Sequence, residues 1–128
     1  MRDKVSLKDV NPDHVFHLNS GAKIRNLYEF ATELTTMPEQ TFKHHVSNTK
    51  NDFATWIRHS VKDDDLALTL SQITDRRMML SAVEKRIQEL EDINTVHAKG
   101  MPVNTIKNLV IGIILGAVLM LMTVKLIA

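Results

Sequence analysis

Asp65-Leu-Ala-Leu-Thr-Leu-Ser-Gln-Ile-Thr-Asp75-Arg-Arg-Met-Met-Leu80-Ser-Ala-Val-Glu-Lys85-Arg-Ile-Gln-Glu-Leu90-Glu-Asp-Ile-Asn-Thr95-Val-His-Ala98 contains neither proline nor glycine. Nothing in it forces a break, so the run predicts one long helix. With heptad position a at Leu66, the a series is Leu66, Ile73, Leu80, Ile87 and Asn94, and the d series is Thr69, Arg76, Val83, Leu90 and His97. The first d positions are polar, so the first half is expected to pack on the domain before it through Leu66, Leu70 and Ile73. From Leu80 to His97 the register is good, and Leu80, Val83, Ile87, Leu90 and Asn94 are candidates for a dimer seam. Asn94 at an a position would set a parallel register, with Arg86 at g facing Glu91 at e of a second copy. A helix folded back on its own head explains the same apolar stripe, and the two readings stand level.

Downstream, Gly100-Met101-Pro102 ends the helix, because glycine suits a helix terminus and proline cannot continue one. Residues 100–105 read as a hinge. Residues 106–128 follow, and from Leu109 to Val124 there is no charged side chain. A helix over this stretch would be about 34 Å long at about 1.5 Å per residue, enough for a hydrocarbon core of about 30 Å. Lys107 and Lys125 can snorkel at its ends. A buried core helix is the competing reading, but so small a chain could not cover it on every side. The expectation is therefore a single transmembrane helix acting as a tail anchor. Lys85, Arg86, Lys99 and Lys107 precede it and Lys125 alone follows, which places the N-terminal part in the cytoplasm and the protein in the cell membrane, single-pass. Gly112 and Gly116 form a Gly-x-x-x-Gly strip where another helix can approach closely.

Working back toward the N-terminus, the triple aspartate Asp63-Asp64-Asp65 resembles a metal cluster. It reads better as the acidic first turn of the long helix, because a calcium loop needs alternating ligands and a glycine. Phe53, Trp56 and Ile57 form the buried face of a short helix that Asn51 or Asp52 can cap. Before it, Phe42 and Val46 mark another, entered through Thr36-Met-Pro-Glu39, which has the form of a capping box with proline in the first turn. Ile24, Leu27, Ala31 and Leu34, flanked by Tyr28 and Phe30, predict a first helix from about Ala22 with Ser20 as its cap. Residues 1–14 are polar and unpatterned, with a turn at Asn11-Pro12-Asp13.

The 128 residues carry a net charge of only +1 and no cysteine. The balance gives no field for nucleic acid, and the missing thiols exclude disulfides, thiolate metal sites and thiol nucleophiles. Scarce glycine and proline and the lack of sustained alternation set the fold class as all-α. The expected organisation is a helical head over 15–72, a long helix over 73–99, the hinge and the anchor. His44 and His45 are adjacent, so their rings diverge on a helix and do not share a metal. No His-x-x-x-His, phosphate loop or nucleophile elbow occurs. His45 can instead reach the Asn51-Asp52 cap across the short loop.

Phe16-x-Leu18-x-x-Gly21-x-x-Ile24-x-x-Leu27, Met37-x-Glu39-x-x-Phe42-x-x-His45-Val46, Asn51-Asp52-Phe53-x-x-Trp56-Ile57, Val61 and Asp65-Leu66-Ala67 resemble a small helical domain family of unknown function, found mainly in archaeal and some bacterial proteins. The resemblance covers about residues 15–72, and its most specific part is His45-x5-Asn51-Asp52-Phe53-x2-Trp56. It implies a helical module that accompanies other domains or membrane segments, with no established activity and no catalytic residues. The long helix and anchor lie outside it.

Two functions are compatible with these features. One is a non-enzymatic, membrane-anchored adaptor whose partners are the bilayer, a cytosolic protein and a second copy of itself. The other is a ligand- or metal-sensing module with His45, Asp52 and Trp56 lining its site. No resident cofactor or metal is expected for the first.

Overall fold

The computed structural model describes residues 5–99. They are mostly helical, with five α-helices and one small two-stranded sheet. The chain divides into two compact units after Leu90. The first of these, the head, is treated first.

The head begins with a 3-10 turn at Pro12–His14, capped by Asn11, and then a hairpin. Strands β1 (Phe16–His17) and β2 (Lys23–Ile24) pair antiparallel, Phe16 opposite Ile24 and His17 opposite Lys23. The connection closes through Gly21 N–H to Leu18 C=O and Leu18 N–H to Ala22 C=O, both 2.9 Å. Gly21 sits at φ 94°, where a side chain would be strained. The hairpin overturns the expectation of a helix from Ala22 capped by Ser20. The apolar pair Phe16 and Ile24 is used across a ladder, and Ile24 is fully buried from a strand.

Helix α1 (Leu27–Thr36) starts instead at the Asn26 cap, whose side chain accepts the Glu29 N–H at 2.8 Å. Leu27, Phe30 and Leu34 form its buried face, while Tyr28 is exposed. Helix α2 (Glu39–His45) follows without the predicted capping box, having no side-chain cap at its N-cap residue Pro38. Thr36 is still the last residue of α1, and Met37 is extended at φ −58°, ψ 127°. A residue before proline is driven out of the helical region, so Met37 leaves α1 and carries Thr36 out of capping position.

Helix α3 (Asp52–Trp56) is capped by Asn51, which accepts the Ala54 N–H at 2.9 Å. It widens into a π-helical turn over Ile57–Val61 that stops at Lys62, a left-handed residue at φ 65°. Helix α4 (Asp64–Ser71) begins at the Asp63 cap, and α5 (Arg76–Lys99) is separate from it. The single helix predicted for 65–98 is thus two. The cause is local: Asp75 accepts the Met78 N–H at 2.8 Å, starting a new helix at an aspartate cap. The Asn51 amide binds the Leu70 carbonyl at 2.8 Å, satisfying a backbone group at the end of α4.

The core centres on Phe53, with the rings of Phe16, Phe30, Phe42 and His45 at 5.1, 4.9, 6.1 and 5.4 Å. Met79, Val83, Ile87 and Leu90 bring one face of α5 into the same core, and Leu80 leans on it half-buried. Leu7 and Val10 pack on it from the N-terminal segment. Arg76 holds the C-terminal end of α1, donating to the Leu34 and Thr35 carbonyls, where a cation suits the helix dipole.

The described part of the second unit is residues 91–99, the last turns of α5, in which Asn94 and His97 are exposed. Among the described residues no helix is long and apolar enough to cross a membrane. The run 106–128, with Gly112 and Gly116, lies outside the described residues.

Candidate functional site

The residues singled out from sequence meet where the α2–α3 loop packs on the hairpin. Val46 and Asn51 form an isolated antiparallel bridge, and Ser47 N–H donates to the Lys50 carbonyl at 2.9 Å, so the loop Ser47–Lys50 is a tight turn. That turn brings the end of α2 beside the start of α3, and with it His45 beside Asp52.

His45 is buried, and both its ring nitrogens are engaged. Nδ1 lies 3.1 Å from Asp52 Oδ2, and Nε2 accepts the Asn19 backbone N–H at 3.2 Å. A ring that accepts at Nε2 carries its proton at Nδ1, so His45 donates to the carboxylate of Asp52. Asp52 also pairs with Lys50 Nζ at 3.2 Å. The arrangement has the outline of a carboxylate–histidine dyad, yet the nitrogen a general base would use is taken by a main-chain amide of the hairpin. Chemically it is a staple between the hairpin and the α2–α3 loop.

Trp56 lies under the same layer. Its indole Nε1–H donates to the His14 carbonyl at 2.7 Å, tying the N-terminal turn to α3, and its ring meets Phe16 and Phe30 edge-on. His45, Asp52 and Trp56 are therefore close in the fold, each committed to a bond inside the head. Among the described residues no group of three or more His, Asp or Glu side chains could hold a metal ion.

A second polar cluster was foreseen only in part: the triple aspartate was expected at a helix start, as Asp63 is, but its pairing with Arg86 was not. Asp63 is only 1% exposed. Its Oδ1 accepts the Leu66 N–H of α4 and the Arg86 Nη2, both at 3.1 Å, and its Oδ2 accepts Arg86 Nε at 2.7 Å. One carboxylate thus caps α4 and grips α5 through a two-bond fork. Arg86 also reaches Glu89 at 3.2 Å. The hydrogen bonding that Arg86 donates to Asp63 is the main cause that raises its guanidinium above its ordinary pKa, against the opposing effect of burial. Arg86 was expected to face Glu91 of a second copy; here its donors are spent on Asp63 and Glu89 of its own chain. Asp64 and Asp65 stay exposed in the first turn of α4.

The candidate seam on α5 divides in the same way. Val83, Ile87 and Leu90 are buried in the head's own core, Leu80 is half-buried, and Asn94 is exposed.

These features define a class: a small, mostly helical module whose polar side chains lock its own loops and helix ends. The chain belongs to the Family of unknown function (DUF5752), whose model matches residues 10–107. That span is wider than the 15–72 of the resemblance, and it takes in the whole of α5, which was expected to lie outside. The physical reason is on α5 itself, since Met79 to Leu90 complete the core that α1–α4 begin. No curated protein and no solved structure matches the chain.

Proposed function

We propose that the chain is a membrane-anchored interaction module with no catalytic activity of its own. The head would bind a cytosolic protein, and the apolar run 106–128 would hold it at the cytoplasmic face of the cell membrane. Raising the local concentration of a bound partner is then its mechanism. One observation carries this reading over the sensing alternative: the polar atoms of His45, Asp52 and Trp56 are bonded to Asn19, Lys50, His14 and one another. Little is left there to bind a ligand or move a proton, and the motif His45-x5-Asn51-Asp52-Phe53-x2-Trp56 reads as the family's internal staple.

Self-association, in this reading, falls to the Gly112/Gly116 strip, because Val83, Ile87 and Leu90 already have partners. Alkaline extraction of membranes from expressing cells tests the anchor. The full chain is expected to stay in the pellet, and replacing residues 109–124 with a polar linker should release it. Extraction of the unaltered chain would overturn the anchor. Turnover of any substrate by the full chain, abolished by a folded His45→Asn variant, would overturn the non-catalytic reading.

A further inference from the structure

A hollow of about 260 Å³ opens between the α2–α3 turn, the outer face of α3 and the end of α4. Its wall includes Asn48, Lys50 and Arg58, the hydroxyls of Ser47, Thr49, Thr55 and Ser71, and no carboxylate. Two other hollows on the head differ in this respect. One sets Lys23 and Arg25 beside Glu29 and Glu33, and the other sets Lys85 and Arg86 beside Asp65 and Glu89. Their cations are balanced within the wall; here Lys50 is paired with Asp52, which lies outside the lining, and Arg58 has no acid beside it in the wall.

The donors in the hollow can be counted. Thr55 and Ser71 spend their hydroxyl protons on the Asn51 and Leu68 carbonyls. Ser47 and Thr49 face each other at 3.2 Å, so one of their two protons remains to be given. Lys50 holds Asp52 through an exchangeable bond, since both side chains are more than a third exposed. Arg58 is exposed and has no partner among the described residues. It leaves the π-helical turn at its second position, and the Ser47–Lys50 turn is fixed by its own backbone bond. Arg58, Lys50, Asn48 and the Ser47–Thr49 pair therefore line one small space, with the Arg58 guanidinium and one hydroxyl proton left to give.

We infer that this hollow binds a phosphate group, as inorganic phosphate or as a phosphomonoester. A planar guanidinium with five donors beside a point-charge ammonium matches the tetrahedral dianion. The space suits a phosphate with little attached, and the missing carboxylate removes the repulsion found in the other two hollows. A soluble phosphate and a phosphomonoester lipid headgroup present the same chemistry.

The test uses the full chain, first in maltoside detergent and then in nanodiscs, with NMR detection of the Arg58 Nε–H and the Asn48 side-chain amide. Inorganic phosphate is titrated at constant ionic strength, with chloride as the control. Phosphatidylcholine nanodiscs are compared with and without about one-tenth phosphatidic acid, and with about twice that fraction of phosphatidylserine, a diester, so that the surface charge matches that of the dianion. A saturable shift with inorganic phosphate names the soluble source, and one with phosphatidic acid alone names the headgroup; either supports the site. Arg58→Ala should weaken the response about tenfold or more, with Arg58→Lys between, and Lys23→Ala on the hairpin should leave it unchanged. Linear, unsaturable shifts in both arms, or saturation that survives Arg58→Ala with unchanged affinity, would overturn the assignment.

Discussion

The two halves of the head are closed by different forces. Around α1–α3 the closure is aromatic: Phe53 is surrounded by Phe16, Phe30, Phe42 and His45. Between α4 and α5 it includes a buried ion pair, Asp63 with Arg86. Ring contacts are many, non-directional and individually small. The ion pair is one directional fork over a carboxylate that has no access to water, so removing either partner leaves a desolvated group behind. The aromatic half should therefore fail by degrees as side chains are trimmed, and the charged half all at once.

The comparison is broken hardest at Phe53. Phe53→Ala is expected to cost about 4 kcal/mol, read as the shift of a urea unfolding curve followed by Trp56 fluorescence, whereas Phe53→Leu should cost about half of that. An equal loss for both would mean that the site behaves like the charged half. Arg86→Met comes next, at about 3 kcal/mol, the lower end for a buried pair, because the Arg86 side chain is 19% exposed. Pairing it with Asp63→Asn should recover much of that loss, since asparagine keeps the helix cap without the stranded charge. If the double variant is worse than Arg86→Met, the pair is not what binds α5.

His45→Ala should cost about 2 kcal/mol, the value of a charge-assisted bond lost together with a main-chain contact. Hydrogen exchange should place the loss at the Asn19 amide, leaving α5 protected. The smallest effect belongs to the exposed Arg25–Glu29 pair, 2.9 Å apart at the start of α1. The hydrogen bond from Arg25, its largest cause, holds the Glu29 carboxyl below its ordinary pKa, and Arg25 itself is raised by the same bond. A lowered carboxylate contributes stability above its unfolded pKa and loses it as the pH falls through the folded value. Glu29→Gln should thus flatten a slight fall in melting temperature on the acid side of the carboxylate range. At high salt the difference from the parent should vanish.

The aromatic half was legible in the sequence, because Phe42, Phe53, Trp56 and Ile57 sit at helical spacing and Asn51 stands where a cap belongs. The His45–Asp52 contact was legible for the same reason, since only a short turn separates them. The charged half was not: Asp63 and Arg86 are 23 residues apart, and nothing in either segment says which aspartate of the triplet turns inward. The hairpin was missed because Ile24 also fits the helical stripe of Leu27, Ala31 and Leu34, and only Gly21 hinted at a reversal. The break at Gln72–Asp75 was missed because it contains neither glycine nor proline, yet Thr74-Asp75 is cap chemistry. The stripe on α5 was read correctly as apolar, but periodicity cannot say whether its partner is the same chain or another.

That last ambiguity bears on the central claim, that the head is a self-contained module sealed by its own α5. Amide hydrogen exchange of the full chain in mild detergent, at two widely separated protein concentrations, tests it most directly. Protection at Val83, Ile87 and Leu90 that is the same at both concentrations is the predicted result. Protection at those residues that falls on dilution would show that a second chain supplies the contact, and would contradict the account.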